Sequence, residues 1–135
     1  MVCLYCQQKT RVNNSRPKKK LNQLWRRRQC QSCAAVFTTV ERIDLEKSLS
    51  VKHPKGLEPF LWQKLFISIY ESLKHVRSPE KTAHDLLETV CASLVQKYGP
   101  QGFVQPTEII HETTEVLARY DQVAGAHYRA FHSLD

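Results

Sequence analysis

Four of the five cysteines fall in two pairs, Cys3-x2-Cys6 and Cys30-x2-Cys33, separated by 23 residues. Two intervening residues let both thiolates of a pair point at one tetrahedral ion. Two such knuckles complete a closed site of four sulfur ligands, with no open position for substrate. The spacing therefore points to one structural Zn2+ per chain, held by Cys3, Cys6, Cys30 and Cys33. The separation is slightly longer than the commonest ribbon spacing, but a β-hairpin between knuckles absorbs the extra length. An iron–sulfur cluster is the main competing reading, followed by two disulfides or four unrelated thiols. A segment this small and polar buries too little surface to fold alone, so a metal would supply folding free energy, ~10–16 kcal/mol in zinc-finger peptides. Cys91 stands apart, on the apolar stripe of an expected helix with no cysteine or histidine at knuckle spacing, and is expected to pack in a core.

Directly before the second knuckle stand Arg26, Arg27 and Arg28. A metal that fixes the hairpin strand leading into Cys30 would hold these arginines out as a preorganised cationic surface. Guanidinium groups bind phosphates in bidentate fashion and read guanine edges. Strand alternation puts Arg26 and Arg28 on one face and Arg27 on the other. Arg11, Arg16 and Lys18–Lys20 extend the surface. Trp25 and Tyr5 are expected as hydrophobic filling for so small a core, with stacking on a sugar or base as the alternative.

Charge supports a polyanionic partner. The chain of 135 residues carries a net charge of +7, yet residues 1–47 alone carry +8 and the remainder −1. No acid precedes Glu41, while nine Lys/Arg do. Such asymmetry between halves is the footprint of a nucleic-acid-binding end joined to a neutral domain. With 41% hydrophobic and 24% charged residues the chain is globular. No apolar run approaches the roughly 20 residues of a membrane span. The opening MVCLYC has no signal-peptide pattern, so a cytoplasmic location is expected.

The elements that must position these residues divide at about residue 47. Residues 1–47 lack helical periodicity; the β-friendly pieces are 10–12, 24–25 and 36–40, with turns expected at 13–15 and 16–17 and a connector over 41–50. Residues 48–135 open with a strand at 49–52 and a turn at 53–56, the start of a strand pair. Helices follow: about 61–76, then one begun by Ser78-Pro79-Glu80 and stopped at Gly99-Pro100, then 106–119, then about 122–134. The fold class is α+β, a small N-terminal β zinc ribbon (1–47) followed by a mainly helical domain (48–135).

With these segments in view, the chain resembles the NrdR family, bacterial transcriptional repressors of ribonucleotide reductase operons. The resemblance is carried by CLYC, TRVNNSR (10–16), WRRRQCQSC (25–33), FTTVER (37–42), VKHPKGLEPF (51–60) with Lys64, and YRAFHSL (128–134), in order along nearly the whole length. It implies a DNA-binding zinc ribbon joined to an ATP-cone, a small nucleotide-sensing domain. ATP and dATP there would set self-association into oligomers, and so the binding of double-stranded promoter DNA. By resemblance, Arg11, Arg16 and Arg26–Arg28 take the DNA. Val51, Lys52, Glu58 and Lys64 fall where the family holds nucleotide, the lysines at phosphates and Glu58 at the adenosine end. The chain departs from the family pattern at His53, where arginine is usual, and at Gly56, one place late.

Two alternatives keep other roles open: a nucleic-acid-binding ribbon whose degenerate cone only oligomerises, and an RNA-binding, translation-associated ribbon. An enzyme is not expected. There is no P-loop and no open metal site, and His111-Glu112 lacks the second histidine of a zincin motif. The acids Asp85, Glu88, Glu108, Glu112 and Glu115 are expected on solvated helix faces.

Overall fold

The computed structural model describes residues 1–133, so the expected helix end at Leu134 lies outside the described residues. The chain forms two compact units that meet at Ile43/Asp44. Residues 44–47, grouped by charge with the first half, belong to the second. There Leu45 opens a short helix, α1 (Leu45–Ser48), and packs against that unit's core.

The first unit is an antiparallel sheet of β1 (Thr10–Lys18), β2 (Gln23–Cys30) and β3 (Val36–Glu41), in that order. Residues 13–17, expected as turns, run through the middle of β1 instead. The asparagines mark a bulge: pairing steps from Val12↔Arg28 to Asn14↔Arg27 and leaves Asn13 as the extra residue. Pro17 is tolerated because β1 is an edge strand that need not donate on its outer side. The chain reverses later, in a 3-10 turn at Lys19–Leu21 closed by Asn22 in the left-handed region (φ 51°).

The second unit contains a small sheet, β5 (Gly56–Pro59), β4 (Ser50–His53) and β6 (Phe103–Val104) in that spatial order; β4 pairs antiparallel with β5 and parallel with β6. The β4–β5 turn depends on Gly56, whose φ of 144° an L side chain rarely adopts. Four helices complete the unit: α2 (Trp62–Glu71), α3 (Pro79–Tyr98), α4 (Pro106–Tyr120) and α5 (Gln122–Phe131). Leu49, Ile69, Leu73, Val90, Leu94 and Leu117 are fully buried at the centre, and half-buried Cys91 packs against them. No helix among the described residues is long and apolar enough to cross a membrane.

Several local expectations are revised. Helix α2, expected to run to about residue 76, ends at Glu71, and Leu73 and Val76 enter the core through tight turns whose amides bond three residues back. Ser78 makes no side-chain cap; Pro79 and Glu80 alone mark the start of α3. Glu108 caps α4 by accepting the Gln105 N–H at 2.7 Å. Asp121 both ends α4 and begins α5, its carboxylate accepting the Ala124 N–H at 3.0 Å. At that corner Gly125 lies so close to α4 that a Cβ would stand 2.7 Å from the Ala118 backbone. Glu112 is not on a solvated face. It is buried, accepting hydrogen bonds from Ser93 Oγ and from Lys97 Nζ, the latter at 2.5 Å.

Candidate metal centre and nucleic-acid interface

The two knuckles are built alike. In the first, the Cys3 N–H bonds Gln8 O, the Gln7 N–H bonds Cys3 O and the Tyr5 N–H donates to Cys3 Sγ. In the second, the Cys30 N–H bonds Ala35 O while the Ser32 and Cys33 N–H groups donate to Cys30 Sγ at 3.3 and 3.4 Å. Each chain then turns away through one left-handed residue, Gln7 (φ 61°) or Ala34 (φ 59°). The Gln31 N–H bond to Lys9 O ties one knuckle to the strand entering from the other.

These turns bring four sulfurs within 4.8 Å of one another, the only such donor cluster among the described residues. Cys3 and Cys33 Sγ are 3.7 Å apart, and Cys6 and Cys30 Sγ 3.4 Å, far beyond a disulfide bond of ~2.05 Å. A Zn–S length near ~2.3 Å demands an S···S edge of about 3.8 Å, so the quartet has the size of a tetrahedral zinc site. Its acid–base chemistry agrees. Cys30 is lowered to about 6, chiefly by the Cys33 N–H, and Cys3 is lowered by the Cys6 and Tyr5 N–H groups. The Ala35 N–H pulls Cys33 down too, but Cys6, desolvation and the neighbouring Cys30 and Cys3 outweigh it and push Cys33 up to about 12. Four thiolates this close do not ionise together unless a cation balances them.

The sheet hung on this cluster has two unlike faces. Partner residues in an antiparallel pair share a face, so the register sorts the arginines. Arg26 and Arg28 lie on the face of Cys30 and are half-buried. Arg26 faces Glu41 at 3.3 Å, and the Arg28 Nε–H donates to Thr39 Oγ1 at 3.1 Å. Arg27 lies on the other face, exposed, with Arg11 opposite Gln29 and Arg16 opposite Trp25. There Arg11 donates to Gln29 Oε1 at 2.9 Å and Arg27 to Thr38 Oγ1 at 3.1 Å. Trp25 and Tyr5 are not core filling; they are 39% and 68% exposed. Within this unit Cys3 and Cys30 are the buried residues, so there is scarcely a core to fill. Nothing along the chain marks Gln29, Thr38 and Thr39 as partners of the arginines; that role follows only once the strand register is known.

The residues expected around nucleotide are only partly gathered. Val51 pairs with Glu58 and Lys52 with Leu57, which places Lys52 on the opposite face of the β4–β5 hairpin from Val51 and Glu58. Lys52 Nζ lies 4.9 Å from the centre of the Phe103 ring, in an open depression of about 420 Å³ that His53, Lys55 and Gly56 also line. His53 Nε2 stands 3.4 Å from Glu58 Oε2. Lys64 is exposed on the first turn of α2.

Residues 1–41 match the family described as transcriptional repressor NrdR-like, N-terminal domain. The whole chain is similar to curated proteins named transcriptional repressor NrdR. One from Symbiobacterium thermophilum is 30% identical over 138 aligned positions, covering 99% of this chain and 86% of its relative. One from Rhodospirillum centenum is 33% identical over 98% of this chain and 85% of the relative. One from Maricaulis maris is 32% identical over 100% and 86%. With a four-cysteine ribbon in front, helices behind and likeness along its whole length, the chain belongs to the NrdR family of transcriptional repressors.

Proposed function

We propose that this chain is a zinc-dependent, cytoplasmic repressor that binds double-stranded promoter DNA of ribonucleotide reductase operons. Cys3, Cys6, Cys30 and Cys33 hold one Zn2+ as thiolates. The ion, when bound, balances their charge and cross-links the ends of the ribbon. Arg11, Arg16 and Arg26–Arg28 then meet DNA phosphates and base edges from a sheet already rigid. The observation that carries this reading is the join between the sulfur quartet and β2: the strand that presents three arginines ends in a ligand. The relatives' names support a binding protein rather than an enzyme. The test is native mass spectrometry for zinc, paired with a duplex titration at several salt concentrations. Each phosphate neutralised steepens the fall of log K with log salt by ~0.9. A metal-free chain with an ordered ribbon, or tighter binding to single-stranded RNA than to any duplex, would sink the proposal.

In the same reading, ATP or dATP binds the second unit through Val51, Lys52, Glu58 and Lys64 and changes self-association. Coupling requires that nucleotide bind one assembly better than another. A second reading, a cone that only oligomerises, is favoured by the partners already taken: Lys52 lies over Phe103, and His53 faces Glu58. Calorimetry with ATP and dATP, alongside light scattering, separates the two. No heat at millimolar nucleotide with an unchanged mass selects the second.

A further inference from the structure

We propose that the ribbon docks on duplex DNA by one sheet face, the one carrying Arg11, Arg16, Lys18 and Arg27, and that Trp25 is the apolar contact at its centre. The inference rests on the DNA-binding reading above and narrows it, because Arg26 and Arg28 lie on the opposite face and drop out of the contact.

The face exists because of the bulge. Residues 11 and 16 differ in parity, and in a regular strand they would point to opposite sides. The extra residue at Asn13 shifts the phase, so Arg11 and Arg16 both join Arg27, which pairs with Asn14 between them. Lys18 follows on the same side, with Nζ 5.0 Å from the centre of the Trp25 ring. None of the strand residues of this face is acidic. Arg11 and Arg27 are steadied by Gln29 and Thr38, which are neutral, so these bonds orient the guanidinium groups without cancelling their charge. The opposite face is different in kind. Its Arg26 is offset by Glu41, and its arginines are half-buried.

Trp25 completes the argument. A tryptophan at the surface leaves a large apolar area in water. Here it is held in place, its Nε1–H donating to Gln23 Oε1 at 3.2 Å, and it pairs across the sheet with exposed Val40. An oriented aromatic with Lys18 over its ring, Arg16 across from it and Arg27 two residues along the same face has the chemistry of a nucleic-acid surface: the cations take phosphates, and the ring packs on a sugar or partly unstacked base. A protein partner would find four like charges along that face.

The test uses the zinc-loaded full chain and a labelled mixed-sequence duplex, read by fluorescence anisotropy across a salt series. Arg16→Ala and Arg27→Ala should each weaken binding and lower the salt slope by ~0.9. Trp25→Leu should weaken binding about ten-fold with the slope unchanged, because no charge is lost. Arg26→Ala should cost less than Arg27→Ala, since Glu41 already offsets its charge. Zinc content of each variant reports whether the ribbon has assembled. In a Trp62→Phe chain Trp25 is the sole tryptophan, and its emission should shift on adding duplex, which tests the contact even if Trp25→Leu fails to fold. A larger loss from Arg26→Ala and Arg28→Ala than from Arg16→Ala and Arg27→Ala would overturn the face while leaving DNA binding intact. Unchanged Trp25 emission at saturating duplex would remove the tryptophan contact. If the parent chain binds no duplex, the DNA reading fails and the face falls with it.

Discussion

The two units are held together by different physics. The first buries Cys3 and Cys30 and leaves Val2, Leu4, Tyr5, Trp25, Val36 and Val40 exposed. The second closes Leu49, Ile69, Leu73, Val90, Leu94 and Leu117 around one core. A sheet open to water on its strands cannot be held by apolar burial, so its stability has to come from the sulfur cluster. The helical unit has burial enough without a metal. A surface that must meet a polyanion is better served by a cross-linked sheet, because a hydrophobic core would claim the positions the cations occupy.

The contrast breaks most sharply on chelation. Removing the ion should forfeit ~10–16 kcal/mol of binding free energy coupled to folding. The ribbon should then unfold while the helical circular dichroism of the second unit persists. Cys30→Ser should do the same without chelator. Concerted loss of both units would show that the second leans on the first.

The reverse experiment empties the other core. Leu117→Ala deletes a fully buried side chain and should cost about 3 kcal/mol. Thermal melting of the helical signal should fall while zinc content stays at one ion per chain.

A smaller effect concerns the polar contact inside that core. Burial raises the pKa of Glu112, but Lys97, Ser93 and the nearby His111 outweigh it, and the carboxyl lies below its ordinary value. A carboxylate lowered on folding contributes stability that is full above about 4.5 and lost as pH falls through the native pKa. Denaturation curves of the helical unit should therefore weaken below pH about 4.5. Lys97→Met should cost about 2 kcal/mol at neutral pH, less than a fully buried pair because Lys97 is half in water, and should flatten that acid dependence.

The smallest change sharpens the ribbon itself. Ala34 sits at φ 59° directly after a ligand, a conformation that costs an L residue about 1 kcal/mol. Ala34→Gly should raise the ribbon's resistance to chelation by about that amount, measured as the shift in chelator midpoint. No shift would mean that the metal overrides backbone preference at the knuckle.

Much of this was legible in the chain. Paired cysteines at two-residue spacing announce a knuckle because ligand geometry is local, and helices α3 and α4 announce themselves by periodicity and proline starts. The misses have local causes too. The Asn13–Ser15 signal is a polar, turn-forming triplet, and a bulge uses the same residues as a turn. β6 is two residues long, too short for any period to register. Glu112 read as solvated because nothing near it in sequence reveals that Ser93 and Lys97 approach from another helix.

By itself, then, the sequence determined which residues could ligate a metal, that Arg26 and Arg28 oppose Arg27 within one strand, and that cationic charge gathers before Glu41. Those properties depend on spacing along a single stretch of chain. Which arginines of β1 join which face was decided only by the tertiary structure. The phase of one strand against another depends on pairing register, and one extra residue at Asn13 reverses it. The placement of Glu58 on the side of Val51, away from Lys52, was decided in the same way, by a hairpin register closed at Gly56. Alternation is a property of a strand, whereas a face is a property of strands paired, and the hydrogen bonds that pair them join residues far apart in the chain.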